Sequence, residues 1–268
     1  MKPDFAAIAP PPSPVRGSFA GGLALIVCAI AVVVAACATR APTPAKGECV
    51  SGDCHSGTGT LQRAEGSRYE GEFRDGRFHG RGTYTYADGS SYTGQWEDDH
   101  RSGKGRGIFA DGRVYVGNWA NDQANGDGTM TTPSGAKYVG QFRDGQRSGN
   151  GIMMHPDGRR YTGEWRYDLR HGRGRAILVN GSRYDGDWRW DRPEGRGTMV
   201  WPGVKRYEGE FRDGLFHGHG VMTLTGFGVY EGEFRRGKRE GAGTLRRPDG
   251  RVDAGVWRDG VLVERVSR

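Results

Sequence analysis

Tyr69-Glu70-Gly71-Glu72-Phe73, followed by Gly80-Arg81-Gly82-Thr83-Tyr84-Thr85-Tyr86, is the stretch on which the fold turns. With Tyr69 as position zero, tyrosine returns every 23 residues, at Tyr92, Tyr115, Tyr138, Tyr161, Tyr184, Tyr207 and Tyr230. Position two is glycine each time, from Gly71 to Gly232 and again at Gly255. Position four is always Phe or Trp: Phe73, Trp96, Trp119, Phe142, Trp165, Trp188, Phe211, Phe234 and then Trp257. Paired glycines hold positions eleven and thirteen, from Gly57 and Gly59 to Gly241 and Gly243. Tyr-x-Gly-x-Trp/Phe has a period of two, which puts the two rings and the glycine on one face of a strand. Gly-x-Gly-x-φ-x-φ is a second strand, whose glycines leave bare backbone for rings of the first to lie across. Polar, glycine-containing loops such as Arg74-Asp75-Gly76 join the two. Turns such as Ala87-Asp88-Gly89, Pro156-Asp157-Gly158 and Pro248-Asp249-Gly250 lead to the next repeat, with glycine supplying positive φ.

Each unit is thus a β-hairpin, and the pattern predicts an all-β chain. Complete repeats begin at 69, 92, 115, 138, 161, 184, 207 and 230, with a partial repeat at 46–68 and a truncated one at 253–268. Two places depart from the pattern. The turn glycine falls one residue early at Gly203, and Gly226 and Gly228 straddle its expected place at Phe227, so altered turns are expected there. Asp253 replaces the leading tyrosine of the last unit, as a polar cap would.

The Tyr69–Phe73 and Gly80-x-Gly82 signatures with their 23-residue echoes resemble the MORN (membrane occupation and recognition nexus) family. The resemblance covers roughly residues 46–260. It implies an elongated, twisted, single-layer antiparallel meander, about 90 Å long for nine hairpins at the usual strand spacing. It further implies interaction with membranes or proteins, and association between arrays. Open sheet edges give such association a physical route.

Composition agrees with a folded repeat array. The 268 residues include 48 glycines, but also seven Trp and eleven Tyr, many for a disordered chain. The formal charge of +7 rests on 39 basic and 32 acidic residues, and no run of Lys or Arg exceeds two. That permits attraction to an anionic surface without singling out nucleic acid.

The first 36 residues read differently. Residues 17–39 are uncharged, with an apolar heart at 23–36 behind Arg16, the layout of a signal peptide. The run ends Val34-Ala35-Ala36-Cys37, which resembles the bacterial lipobox and implies that Cys37 becomes a lipidated N-terminus. The alternative is an uncleaved single-pass anchor, since 23 uncharged residues can span a bilayer. Residues 1–36 are then signal or anchor, 37–46 the lipidated cysteine and a linker, and 47–268 the repeat array. The prolines before the apolar run are atypical of a signal, so translation starting at Val15 instead of Met1 is a further expectation. Placement follows: a bacterial envelope lipoprotein of the outer membrane facing the periplasm, because Ala38 is not the Asp of inner-membrane retention, or an inner-membrane anchor with the repeats outside the cytoplasm.

Cys49 and Cys54 stand five positions apart in an exported segment, which suggests a disulfide. Free thiols or, with His55 adjacent, a metal pair are the other readings.

Position five is Arg in seven repeats, including Arg143, Arg166, Arg189 and Arg212, opposite the aromatic face. Position three, on the same face, is mostly acidic or amide. The row reads either as a solvated cross-strand salt-bridge ladder or as guanidiniums about 10 Å apart, suited to an anionic surface. The position before each tyrosine adds Lys137, Arg160, Arg183 and Arg206, which lack an acidic counterpart in their own row. His79, His171 and His217 share position ten and read as loop residues, too far apart for one metal. The rings at positions zero and four read as core, or as a concave aromatic groove for glycan or peptide. No nucleophile–base pair, phosphate loop or metal-ligand spacing is visible, so neither enzyme activity, a cofactor nor a metal is expected. The expected role is an interaction scaffold that holds membrane and protein partners or its own copies. A direct binder of anionic phospholipid or cell-wall polymer is the alternative.

Overall fold

The computed structural model describes residues 47–266, so the lipobox, Cys37 and the apolar segment lie outside the described residues. Twenty strands account for all regular structure within that range. They are β1 Glu48–Gly52, β2 Thr58–Gln62, β3 Arg68–Arg74, β4 Arg77–Thr85, β5 Ser91–Glu97, β6 His100–Ile108 and β7 Val114–Ala120. Next come β8 Gln123–Thr131, β9 Lys137–Arg143, β10 Gln146–Met154, β11 Arg160–Arg166, β12 Leu169–Ile177, β13 Arg183–Arg189 and β14 Arg192–Trp201. The last six are β15 Lys205–Arg212, β16 Leu215–Leu224, β17 Gly228–Arg235, β18 Lys238–Arg246, β19 Val252–Arg258 and β20 Val261–Arg265. Each strand pairs antiparallel with the next in the chain, giving one open meander with β1 and β20 at its edges.

Within a complete repeat the turn is two residues long, and both take positive φ, as at Asp75 (51°) and Gly76 (71°). This is the turn whose twist matches that of the flanking strands. Between repeats the link has five residues. In 86–90, the Gly89 N–H donates to the Tyr86 carbonyl at 3.0 Å, and Asp88 Oδ1 accepts from the Ser90 N–H at 2.9 Å. The two irregular places are altered: β14 and β16 grow to ten residues, and the links after them shrink to 202–204 and 225–227.

Every hairpin carries a bulge. Gly71 pairs with Gly82 but Glu72 with His79, so Gly80 and Arg81 bulge out. Gly80 there has φ of 58°. The paired glycines form a groove across the strands into which the position-zero tyrosine lies. A methyl group on Gly71 would stand 2.7 Å from the Tyr69 hydroxyl and against the Gly82 backbone. That hydroxyl donates to the Glu72 carbonyl at 2.9 Å, and the same bond recurs at Tyr92, Tyr115, Tyr138, Tyr161, Tyr184, Tyr207 and Tyr230. Each buried phenol therefore keeps a partner.

The core lies on one face only. Strands such as β3, β5 and β11 alternate buried and exposed residues in the same order, with Tyr and Phe or Trp inward. The rings form one continuous file. Tyr69 meets Phe73 at 5.1 Å and Trp96 of the next repeat at 5.4 Å, both edge to face, and this pair of contacts is repeated along the sheet. All eight tyrosines and all nine position-four rings are buried, so the concave aromatic groove is not open. Position nine is what closes the file: Phe78, Ala124, Pro193, Phe216 and the arginines at 101, 147, 170 and 239 cover it.

At the last unit Asp253 is not an open polar cap. It is buried, and ion pairs to Arg247 (2.8 Å) and Arg265 (2.9 Å) close over it. The chain's return along β20 supplies the second arginine.

Candidate functional site

With the aromatic face sealed, the surface left for partners is the outward face, where positions three and five and the residue before each tyrosine project. The hairpins set this geometry: period two sends these side chains away from the core, and the bulge brings positions three and eleven together.

The salt-bridge ladder expected between positions three and five does not form among the described residues. Position three caps the bulge instead. Glu72 accepts the Arg81 N–H at 2.9 Å, Gln95 the Lys104 N–H at 3.1 Å, Glu164 the Arg173 N–H at 2.8 Å and Glu210 the His219 N–H at 3.2 Å. The two extra residues free a backbone donor that the nearest side-chain oxygen satisfies, and an amide serves as well as a carboxylate. That explains why Gln and Glu interchange there. Arg143, Arg166, Arg189 and Arg212 are left without a carboxylate partner, whereas Arg74 reaches Asp98 at 3.2 Å.

The row before the tyrosines differs from its expectation. Arg206 does have an acidic counterpart: it pairs with Glu208 at 2.5 Å, because two residues along a strand share a face. Arg160 donates through Nε to Thr162 Oγ1 at 3.3 Å. Arg183 stands on the same edge of β13 without a carboxylate partner. The uncommitted positive charge therefore lies along position five more than along this row.

His79, His171 and His217 lie in strands β4, β12 and β16, not in loops, because the hairpin turn takes only two residues. Their carbonyls accept from the hydroxyls of Tyr69, Tyr161 and Tyr207 at 3.3, 3.5 and 3.3 Å. The Nδ1 atoms of His79 and His171 are buried without a hydrogen-bond partner. Among the described residues, no cluster of His, Cys, Asp and Glu could hold a metal ion, and no helix is long and apolar enough to cross a membrane. Cys49, in β1, and Cys54, in the loop between β1 and β2, form a disulfide.

One feature escaped the sequence reading. Position nine carries Arg101, Arg147, Arg170 and Arg239, whose guanidiniums lie 4.6, 4.3, 4.5 and 4.3 Å from the ring centres of Trp119, Trp165, Trp188 and Trp257. Three of them also bind an aspartate of the next hairpin turn: Arg101 with Asp122 at 3.2 Å, Arg147 with Asp168 at 2.9 Å and Arg170 with Asp191 at 2.7 Å. Burial pulls the Arg170 guanidinium below its ordinary value, against the pull of Asp191. A signal for this was present: wherever position nine is Arg, position four of the next repeat is Trp. The indole offers the widest face for the guanidinium plane.

A family model described as MORN repeat matches residues 69–91, 92–112, 115–137, 138–159, 161–183, 184–203, 207–228 and 230–250. The chain is a member of the MORN repeat family. No curated protein matches its sequence. Among solved structures, it is similar to the TCP domain of SAS-4 from Drosophila melanogaster, bound to a proline-rich motif of Ana2. That match has 11% identity and a TM-score of 0.32 over 66% of this chain and 85% of that one. The TCP10 domain of Danio rerio CPAP, bound to a STIL peptide, matches with 14% identity and a TM-score of 0.30 over 79% and 94%. Virginiamycin B lyase from Staphylococcus aureus matches with 11% identity and a TM-score of 0.16 over 79% and 73%. Likeness of this degree says nothing about what this chain binds.

Proposed function

We propose that this chain is a non-enzymatic scaffold, anchored in the bacterial envelope through a lipid on Cys37, whose MORN array presents its outward face to protein partners or to further copies of itself. The observation that carries this reading is the array itself. Its core is consumed by its own repeats, and its charged outward face and two sheet edges are what remain for contact. The lipobox-like Val34–Cys37 supports the anchor and an outer-membrane, periplasm-facing placement. Replacing Cys37 with Ala should abolish fatty-acid labelling and leave an unprocessed precursor. Unchanged labelling would rule out the lipid at Cys37, and a wild-type N-terminus upstream of residue 37 would favour the single-pass anchor.

The second reading is direct binding of an anionic phospholipid or cell-wall polymer. It is supported by the position-five Arg143, Arg166, Arg189 and Arg212, which have no carboxylate partners while their position-three neighbours are committed to backbone N–H groups. Arg143, Arg166, Arg189 and Arg212 carry it better than Arg160, Arg183 and Arg206. Binding to anionic vesicles or polymers should weaken with salt, since screening sets in at about 8 Å at physiological ionic strength. It should fall when the four position-five arginines become Gln. Equal binding by the variant would leave the row a solvated face.

A further inference from the structure

The first residue of each hairpin turn in the complete repeats takes a left-handed conformation. It is Asp or Asn at 75, 98, 121, 144 and 213, where a short polar side chain tolerates positive φ. In the middle of the array it is Tyr167 (φ 51°) and Trp190 (φ 50°), and in the last complete repeat Arg236 (φ 50°). Bulky rings are outliers in this region of backbone space, and such strain persists where it serves a site. Burial is not the reason for it, because Tyr167 is 59% exposed and Trp190 43%.

The two rings flank Arg166, whose guanidinium lies 5.5 Å from the ring centre of Tyr167 and 5.8 Å from that of Trp190. The His171 ring packs against Trp190 at 5.0 Å. Trp190 lines a groove of about 540 Å³ with Glu164, Arg166, His171, Asp187 and Arg189 among others, and Tyr167 stands beside Arg166 outside that lining. The corresponding groove at Glu72, His79 and Trp96 is about 290 Å³ and has Asp98 at its turn instead of a ring.

The carboxylates of the larger groove are already engaged. Glu164 accepts the Arg173 N–H, Asp187 accepts the Arg196 N–H at 3.1 Å and Arg173 Nε at 3.3 Å, and Glu194 accepts the Asp213 N–H at 2.9 Å. Arg166 and Arg189 are not engaged by a carboxylate, and His171 Nδ1 is a buried polar atom with no partner. The groove therefore offers the face of Trp190 and two guanidinium forks, with the exposed Tyr167 ring adjoining Arg166.

We propose that the Tyr167–Trp190 groove binds an acidic glycan. The apolar face of a pyranose ring stacks on the exposed rings, and carboxylates of different sugar residues of the chain take the forks of Arg166 and Arg189. The two turns are two strand spacings apart, about 10 Å, which is also the length of a disaccharide unit in an extended β-linked chain. This rests on the second reading above, that the position-five row meets an anion, and narrows it to one place and one ligand class.

The test is calorimetry of the full-length protein in detergent with a β-linked glucuronic acid hexamer, with the neutral cellohexaose as comparison. The variants are Tyr167→Asn with Trp190→Asn, and separately Arg166→Gln with Arg189→Gln. Wild type should bind the acidic hexamer at least tenfold more tightly than the neutral one. The Asn pair should lose that binding while melting about 2–4 °C higher, because relief of the strain outweighs the lost surface contacts. The Gln pair should reduce the acidic hexamer to the level of the neutral one. The proposal is overturned if wild type ignores the acidic hexamer, if either variant binds it as well as wild type, or if an oligoglutamate peptide displaces it at equal concentration. Anionic-vesicle sedimentation separates the two failures. Vesicles bound equally by wild type and the Asn pair, with no glycan bound, would leave the arginine row standing and remove the groove. Neither ligand bound would remove both.

Discussion

Two stretches of the array solve the same packing problem with opposite chemistry. In the first and seventh complete repeats, position nine is Phe: Phe78 stacks on Tyr69 at 3.8 Å and Phe216 on Tyr207 at 4.0 Å. In the middle, Arg147 and Arg170 occupy the same slot, lying over Trp165 and Trp188 and held by Asp168 and Asp191. Each filling screens the aromatic file from water. The difference lies in what each needs nearby. A phenyl ring needs only the tyrosine beneath it. A buried guanidinium needs a wide ring and a carboxylate, and it draws on the following hairpin turn for both. The middle repeats are consequently coupled to their neighbours by charge as well as by packing, and a single substitution there is felt across two hairpins.

The largest expected effect breaks that coupling. Asp191→Asn keeps a residue that tolerates positive φ but leaves the charge of Arg170, only 3% exposed, without its carboxylate. Loss of one partner of a buried pair costs about 3–5 kcal/mol, so denaturant unfolding should show β11–β14 opening early. If Asp191→Asn unfolds like wild type, the buried pair is not what holds these repeats. Phe216→Ala should cost a similar ~3–5 kcal/mol by cavity formation alone, with no dependence on salt.

A swap sharpens the comparison. Phe216→Arg alone places a charge in a slot where the following turn offers Gly237 and the following ring is Phe234. Adding Gly237→Asp and Phe234→Trp rebuilds the arrangement seen at Arg170, and should recover about 0.5–3 kcal/mol as a coupling in a mutant cycle. Strict additivity would show that the Arg–Trp–Asp set does not act as a unit.

Alkaline pH should act on both stretches. Burial pushes the phenols of Tyr92, Tyr115 and Tyr230 up to about 12, and those of Tyr69, Tyr138, Tyr161, Tyr184 and Tyr207 also upward. A raised value in the folded state means this stability is complete below the unfolded value of 10 and lost as pH rises from there through about 12. Tyrosine absorbance should therefore titrate together with unfolding. Phenolate appearing near pH 10 with the fold intact would contradict the burial.

The smallest effect is expected at Asp122, in a half-buried counterpart of the Arg170–Asp191 pair. Burial tends to raise its carboxyl, but hydrogen bonds from His100 and Arg101 outweigh that and hold it below the usual carboxylate value. Its contribution is present above the unfolded value and fades as pH falls through the folded one. Because water reaches this pair more than the Arg170–Asp191 pair, Asp122→Asn should cost about 1 kcal/mol. A loss as large as that at Asp191 would mean that burial does not distinguish the two pairs.

The sequence by itself determined the repeat length, the hairpin, the face that turns inward and the rings that fill it. A 23-residue period of Tyr, Gly and Trp or Phe admits one alternation, and paired glycines admit one resting place for a tyrosine ring. It also located the two irregular links, since a shifted glycine moves the only residue that takes positive φ without cost. What the tertiary structure decided is where the charges go. Position three looked like half of a salt-bridge ladder, but the bulge offers it a backbone N–H, and that donor is nearer than any guanidinium. Position nine varies among Phe, Arg, Ala and Pro, and the burial of its arginines depends on a ring and a turn in the next repeat. Periodicity along the chain reports what recurs within a repeat. Partners that lie one repeat away are set by the stacking of hairpins, which brings Arg170, Trp188 and Asp191 into contact although they belong to two different units.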